Sequence, residues 1–188
     1  HVAHIYFLSR NKIFFPLLLP HTNFLLYNKQ IPNKEYLTEA KKIAQEEKNL
    51  NDIIVAIKNY LNKHFDENKF TYKPHSIIES RFMPAEISFL IGMRSCGSLV
   101  NIASDMLRHL DYKVSKIHGS IPQSTDHSWL RILNQGTGKW EDYDITQKDC
   151  QVSNNHIEIA ECAEWADILE IIVKAHMDQG NRLTLRSR

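Results

Sequence analysis

The sequence predicts an α+β domain with its helices packed on one antiparallel sheet. Three observations carry that expectation. Helical periodicity dominates residues 34–110, strand-like alternation follows over residues 113–146, and the run Asn134-Gln135-Gly136-Thr137-Gly138 reads as a hairpin loop between the last two strands. The chain has 188 residues, enough for one domain with a proper core. Its 43% hydrophobic and 24% charged content is ordinary for a globular chain. A formal net charge of +1 excludes a global basic field for nucleic acid and an acidic one for cationic partners.

Residues 1–32 show no sustained period, yet Phe7, Leu8, Phe14, Phe15, Leu17, Phe24 and Leu26 are too many apolar groups for a disordered tail. The expectation is an irregular segment packed on the domain, with residues 33–188 forming that single domain. The apolar run over residues 13–20 is too short, and too broken by Pro16 and Pro20, for a membrane span. No small-residue cleavage site follows it, as a signal peptide requires. The chain opens on His1 rather than Met, so a preceding segment is expected to be missing or processed, and the start assigns no compartment.

Residues 34–48 are rich in Lys, Glu, Ala and Gln, all strong helix formers. A second helix is expected with Asn51 as its cap and Ile53, Ile54, Ile57, Tyr60, Leu61 and Phe65 on one face. Phe70-Thr71-Tyr72 reads as a short strand closed by Pro74. Residues 75–94 read as loop with one helical turn from Pro84, ended by Gly92. The clearest element comes next: Leu99, Ile102, Ala103, Met106, Leu107 and Leu110 line one broad helical face, with Ser95 as N-cap and Cys96 in the first turn. Strands are expected over residues 113–121, 127–133 and 140–146, then a polar loop over 147–156. A last helix is expected over 158–177, with Ile159, Ala163, Ala166, Leu169, Ile172, Val173 and Met177 inward and Gly180 as its stop.

A thiol, an imidazole and a carboxylate then fall in a suggestive order. Cys96 at a helix start would sit in the positive end of the helix dipole, among unpaired N–H groups that favour a thiolate and can bind an oxyanion. Arg94 adds positive potential. A lone cysteine is more often a small buried hydrophobe, so the partners matter. His127 begins a strand after the turn-rich residues 122–126, and of the ten histidines only His118, on the preceding strand, has a comparable setting. For the carboxylate, a four-residue loop from Asn134 to Thr137 pairs Leu133 with Gly138, Arg131 with Trp140, Trp129 with Asp142 and His127 with Asp144. Opposed side chains share a face about 5.5 Å apart at Cβ. Asp144 is therefore the expected partner of the imidazole and Asp142 the reserve.

Together these residues resemble the transglutaminase-like superfamily of papain-like cysteine enzymes, over about half the chain, residues 52–146. The aromatic-x-Tyr strand is matched by Phe70-Thr71-Tyr72, and the Gly-then-Cys helix start by Gly92-Met93-Arg94-Ser95-Cys96. The Leu-Arg-x-Leu helix end is matched by Leu107-Arg108-His109-Leu110, His-x-Trp by His127-Ser128-Trp129, and Trp-x-x-x-Asp-x-Thr by residues 140–146. Asp111 replaces the usual glycine after the helix, Ile145 replaces the usual proline, and no upstream Gln for an oxyanion hole is identifiable. The resemblance implies a papain-like core with the nucleophile at a helix N-terminus. It implies that Cys96 attacks an amide or ester carbonyl, His127 moves the proton, Asp144 holds the imidazole tautomer and the Cys96 N–H helps bind the oxyanion. Water completes hydrolysis and a lysine amine completes transamidation. No cofactor and no metal are needed for this chemistry.

The favoured expectation is thus a cysteine peptidase or amidase acting on a protein or peptide substrate. Protein-glutamine transamidation or deamidation is the alternative within the class, and a non-catalytic binding domain of the same fold the alternative outside it. A zinc or redox protein is disfavoured. Cys96, Cys150 and Cys162 form no CxxC or zinc-ribbon spacing, and HExxH is absent. If Cys96 is the nucleophile, Cys150 and Cys162 remain the pair that could close.

Overall fold

The computed structural model describes residues 4–6, 16–18, 35–67, 72–74, 76–174 and 177. The chain divides into two units, His1–Asn33 and Lys34–Arg188. In the first, strand β1 (His4–Tyr6) pairs antiparallel with β2 (Pro16–Leu18), His4 opposite Leu18. The expectation that residues 1–32 pack on the domain rests mostly on residues outside those described.

The second unit is assembled around the helix that the apolar stripe foretold. Helices α1 (Glu35–Glu46) and α2 (Leu50–Glu67) come first. The α2 cap is Asn49 and not Asn51: its Oδ1 accepts from the Asp52 N–H at 2.9 Å, so the helix opens two residues earlier than expected. Phe70 and Thr71 lie outside the described residues, and Tyr72 N–H donates to the Ile91 carbonyl at 3.0 Å. Two short helices, α3 (Ile77–Phe82) and α4 (Ala85–Leu90), stand where one helical turn was expected. Gly92, at φ 63°, then turns the chain toward α5 (Cys96–His109).

Helix α5 buries Val100, Ile102, Ala103, Met106 and Leu107 completely; it packs against α1, α3, α4 and the sheet, in one core cluster that also takes in Ile54 and Ile57 of α2. It ends at Asp111, whose φ of 63° is the left-handed turn that a glycine most readily supplies after a helix. Four antiparallel strands follow: β3 (Val114–Ile121), β4 (Ser124–Asn134), β5 (Lys139–Tyr143) and β6 (Ile157–Cys162), in the order β5-β4-β3-β6. Leu130 and Ile132 of β4 face the helices with Val114 and Tyr143. The odd-numbered residues His127, Trp129 and Arg131 face the other way.

Two expectations fail here. The β4–β5 loop is Gln135–Gly138 and not Asn134–Thr137, so Leu133 pairs with Trp140 and Arg131 with Asp142. Asn134 stays in the strand because its Oδ1 accepts from the N–H groups of Gly136 (2.9 Å) and Thr137 (3.2 Å), while Gly138 closes the loop at φ 69°. The last helix does not begin at residue 158 either. Residues 157–162 add to the outer edge of β3, Lys116 opposite Cys162, and satisfy its backbone groups. A 3-10 turn follows (Trp165–Ile168), and residues 169–174 are helical. Trp165 and Ile172 are buried, but Ile159 and Met177, expected inward, are exposed. Gly180 lies outside the described residues. All three cysteines are free thiols.

Candidate active site

The site begins with a cap. The Ser95 hydroxyl accepts from Ser98 N–H, and the Ser98 hydroxyl accepts from Ser95 N–H at 3.0 Å, a reciprocal capping box that starts α5 at the next residue. Cys96 is that residue, half-buried, in the first turn where backbone N–H groups lack helical partners. Ser80 and Ser95 share a 2.6 Å hydroxyl contact, which ties α3 to the cap. Gly97 makes this approach possible, since a Cβ there would lie 2.6 Å from Ser80 Oγ and 2.9 Å from Arg81 Cγ. Arg94, expected to add potential near the thiol, instead pairs with Asp66 of α2 at 2.6 Å and lies over the Phe65 ring.

Strand β4 delivers His127 opposite Gly119 of β3. Its Nε2 lies 2.7 Å from Asp144 Oδ2, and its side chain also interacts with that of Cys96. Donation from Nε2–H to the carboxylate leaves Nδ1 as the nitrogen for the thiol. Burial pushes the imidazole pKa down, but the hydrogen bonds to Asp144 and Cys96, then their charges, outweigh it and lift it to about 9. Asp144 lies just past the end of β5 and is fully buried. Burial pushes its carboxyl up, while the hydrogen bonds from His127 and His156, the His127 charge and the bond from Thr146 bring it down to about 2. Its Oδ1 accepts from Thr146 N–H (3.0 Å) and Oγ1–H (2.7 Å).

The three residues singled out from the sequence are therefore brought together, though by a different route for Asp144. In the observed register Asp144 is diagonal to His127 and not opposite it. Asp142, held in reserve, is taken by Arg131, which donates through Nε at 2.6 Å and through a terminal nitrogen at 2.8 Å. His118, the competing histidine, alternates to the opposite face and is fully buried. Burial, then the Arg81 charge, depress its pKa.

Two participants escaped the sequence. His156 places its Nε2 2.9 Å from the same Asp144 oxygen, and its ring stands edge-on to Trp129 with centroids 5.2 Å apart. It comes from a polar loop with no local pattern to announce it. Arg81 of α3 is fully buried beneath β4. It pairs bidentately with Asp126 and donates to Ser128 Oγ (2.8 Å) and to the His127 carbonyl (3.3 Å). The signal for its helix was present as Ser76-x-x-Glu79, in which Ser76 Oγ accepts from Glu79 N–H at 3.0 Å.

No family model and no curated protein matches the sequence. Solved structures do. A candidate cysteine protease from Cytophaga hutchinsonii superposes with a TM-score of 0.55 at 15% identity, over 80% of this chain and 50% of that one. The fold is transglutaminase-like. At that identity the likeness speaks for the fold alone, and the chain spans half the length of the structure it matches. A transglutaminase (TGase) crystal structure also aligns, at 13% identity over 74% of this chain and 38% of that one, with a TM-score of 0.48 that is too low to bear on the fold. Among the described residues no helix is long and apolar enough to cross a membrane.

Proposed function

We propose that the chain catalyses acyl transfer from a protein or peptide to water, hydrolysing a peptide or amide bond through Cys96, His127 and Asp144. The observation that supports this most is the ring of His127, with Nε2 bonded to a buried carboxylate at 2.7 Å and its side chain also engaged with the Cys96 thiol at a helix N-terminus. A base oriented by a third group beside a nucleophile is the arrangement that activates a thiol.

The steps balance without an external cofactor. His127 Nδ1 takes the thiol proton, and the thiolate attacks the carbonyl carbon. The resulting oxyanion lies toward N–H groups of the first turn, including that of Cys96. The imidazolium returns its proton to the leaving amine as the C–N bond breaks. Water, deprotonated by the same ring, then cleaves the thioester and restores the thiol.

Alkylation by iodoacetamide at pH 6, read by mass spectrometry, tests the pair without a known substrate. Cys150 and Cys162 are buried, and burial pushes both thiols up, Cys162 to about 12. Cys96 is expected to react far faster than either. Its exposure alone could produce that order, so the deciding comparison is His127→Ala, which should slow Cys96 at least about tenfold by removing the ion-pair partner of the thiolate. An unchanged Cys96 rate in that variant would sink the proposal. With a panel of peptide amides, Cys96→Ala should abolish turnover, and an added alkylamine that captures the acyl group in place of water would move the reading to transamidation.

A further inference from the structure

We propose that Asp144, His127 and His156 form a binding site for a zinc-like divalent cation, and that occupancy switches off the Cys96–His127 pair. The site half of this follows from the geometry; the switch rests on the acyl-transfer reading above.

Both imidazoles point Nε2 at one oxygen, Asp144 Oδ2, from 2.7 and 2.9 Å, and the three ligand atoms lie within 4.8 Å of one another. Two imidazole nitrogens and one carboxylate oxygen, with a further position open, are a donor set that Zn²⁺ accepts. Bonds of about 2.0–2.1 Å at tetrahedral angles place ligands roughly 3.3 Å apart, so the groups need to spread by about half an ångström. The His127, Asp144 and His156 side chains are 7%, 0% and 4% exposed, so a cation there would meet its ligands largely out of water. The supporting contacts also suit a metal. Asp144 Oδ1 is occupied by Thr146, which leaves Oδ2 to the cation. His156 Nδ1 accepts from Ser153 N–H at 3.1 Å and also lies 3.1 Å from Ser153 Oγ and 3.2 Å from Ser153 O; an Nδ1–H, once Nε2 turns to the metal, gives up the first contact and takes one of the two oxygens as its acceptor. A cleft of about 250 Å³ reaches His156 past Gln147, Asp149, Gln151 and Asn155, whose side-chain oxygens can accompany a hydrated cation inward.

Binding takes the Nε2 lone pair of each ring. A charged ring loses its Nε2 proton to solvent, and a neutral one carries its single proton on Nδ1. For His127 that proton faces Cys96. The ring then has no lone pair for the thiol proton, and the metal-bound ring is a poorer acid toward a leaving amine than an imidazolium. Cys96 lies on the Nδ1 side and is not a ligand of this metal.

Cobalt(II) added to the metal-free full chain tests the site. One equivalent should bind with visible ligand-field bands and without the near-ultraviolet charge-transfer band of a thiolate. The spectrum should persist in Cys96→Ser. Affinity should fall more than about tenfold in His156→Gln, which keeps a hydrogen-bond donor toward Asp144 but loses the imidazole, and in His156→Phe. A charge-transfer band that disappears in Cys96→Ser, or an affinity in both His156 variants equal to that of the parent, would overturn the site. For the switch, Zn²⁺ should inhibit hydrolysis of p-nitrophenyl acetate by the parent, measured above a Cys96→Ala blank. It should inhibit His156→Gln at least about tenfold less, relative to that variant's own metal-free rate. Cobalt binding without zinc inhibition would refute the switch alone. Cobalt binding with no Cys96-dependent turnover would refute the acyl-transfer reading, and the switch with it, while the site stands.

Discussion

At the residue scale, the site is an arrangement of hydrogen bonds around one carboxylate. Asp144 has both oxygens occupied, Oδ1 by Thr146 and Oδ2 by His127 and His156. A buried carboxylate satisfied in this way stays ionised and keeps one rotamer. Burial alone would depress His127, and Asp144 supplies the largest opposing influence. Asp144→Asn should therefore lower the imidazole pKa. In the proposed reaction the imidazolium protonates the leaving amine and is lost above its pKa, so the alkaline limb of kcat/KM is expected near pH 9 in the parent and closer to neutral in the variant. The rate at the optimum should fall roughly 10²- to 10⁴-fold. A pH–rate profile reads both, and a limb that stays near 9 would mean that Asp144 does not set the charge of the ring.

At the element scale, one buried ion pair joins α3 to the strand that carries His127. Arg81 and Asp126 are 0% and 7% exposed, and the guanidinium also bonds Ser128 and the His127 carbonyl. Removing one partner leaves the other charged and buried. Arg81→Met should cost about 3–5 kcal/mol in urea unfolding, and the double variant Arg81→Met with Asp126→Leu should recover much of it. A double variant no better than the single would show that the bonds to the backbone and Ser128 matter more than the charges. The sheet contributes a second fixed point. A Cβ on Gly119 would lie 2.4 Å from the Trp129 ring and 2.3 Å from the Ile157 carbonyl. Gly119→Ala is thus expected to push β3 from β6 and displace Trp129, costing about 1–3 kcal/mol. Because the Trp129 ring stands beside those of His127 and His156, turnover should fall along with stability.

At the scale of the whole molecule, the charge on His127 links the site to global stability. Its folded pKa of about 9 lies above the ordinary 6.5, so the folded chain holds this proton more tightly than the unfolded one. The stabilisation is fully present below about pH 6.5 and is gone once the pH has risen through about 9. In His127→Gln the group is absent. The stability difference between parent and variant should shrink across that window by up to about 3 kcal/mol, measured by denaturant titration at each pH. A difference that does not vary between pH 6 and pH 10 would contradict the charged ring.

The sequence by itself determined the parts whose signals are local. The apolar stripe from Leu99 to Leu110 and the Ser95 cap place Cys96 at a helix start, because periodicity and capping act over one or two turns. Alternation in β4 settles that His127 shares a face with Trp129 and Arg131, and the helical and strand-like runs define the α+β class. Only the tertiary structure decided what depends on distant partners. Residues 157–162 became β6 because the edge of β3 needed a partner, which a short apolar pattern does not announce. The β4–β5 register moved because the Asn134 side chain bonds within its own turn, and Asp142 was taken by Arg131 across the strands. His156 and Arg81 reached the site through a loop and a short helix remote in sequence from His127. Their contributions are contacts between elements, and no local pattern of the chain encodes such contacts.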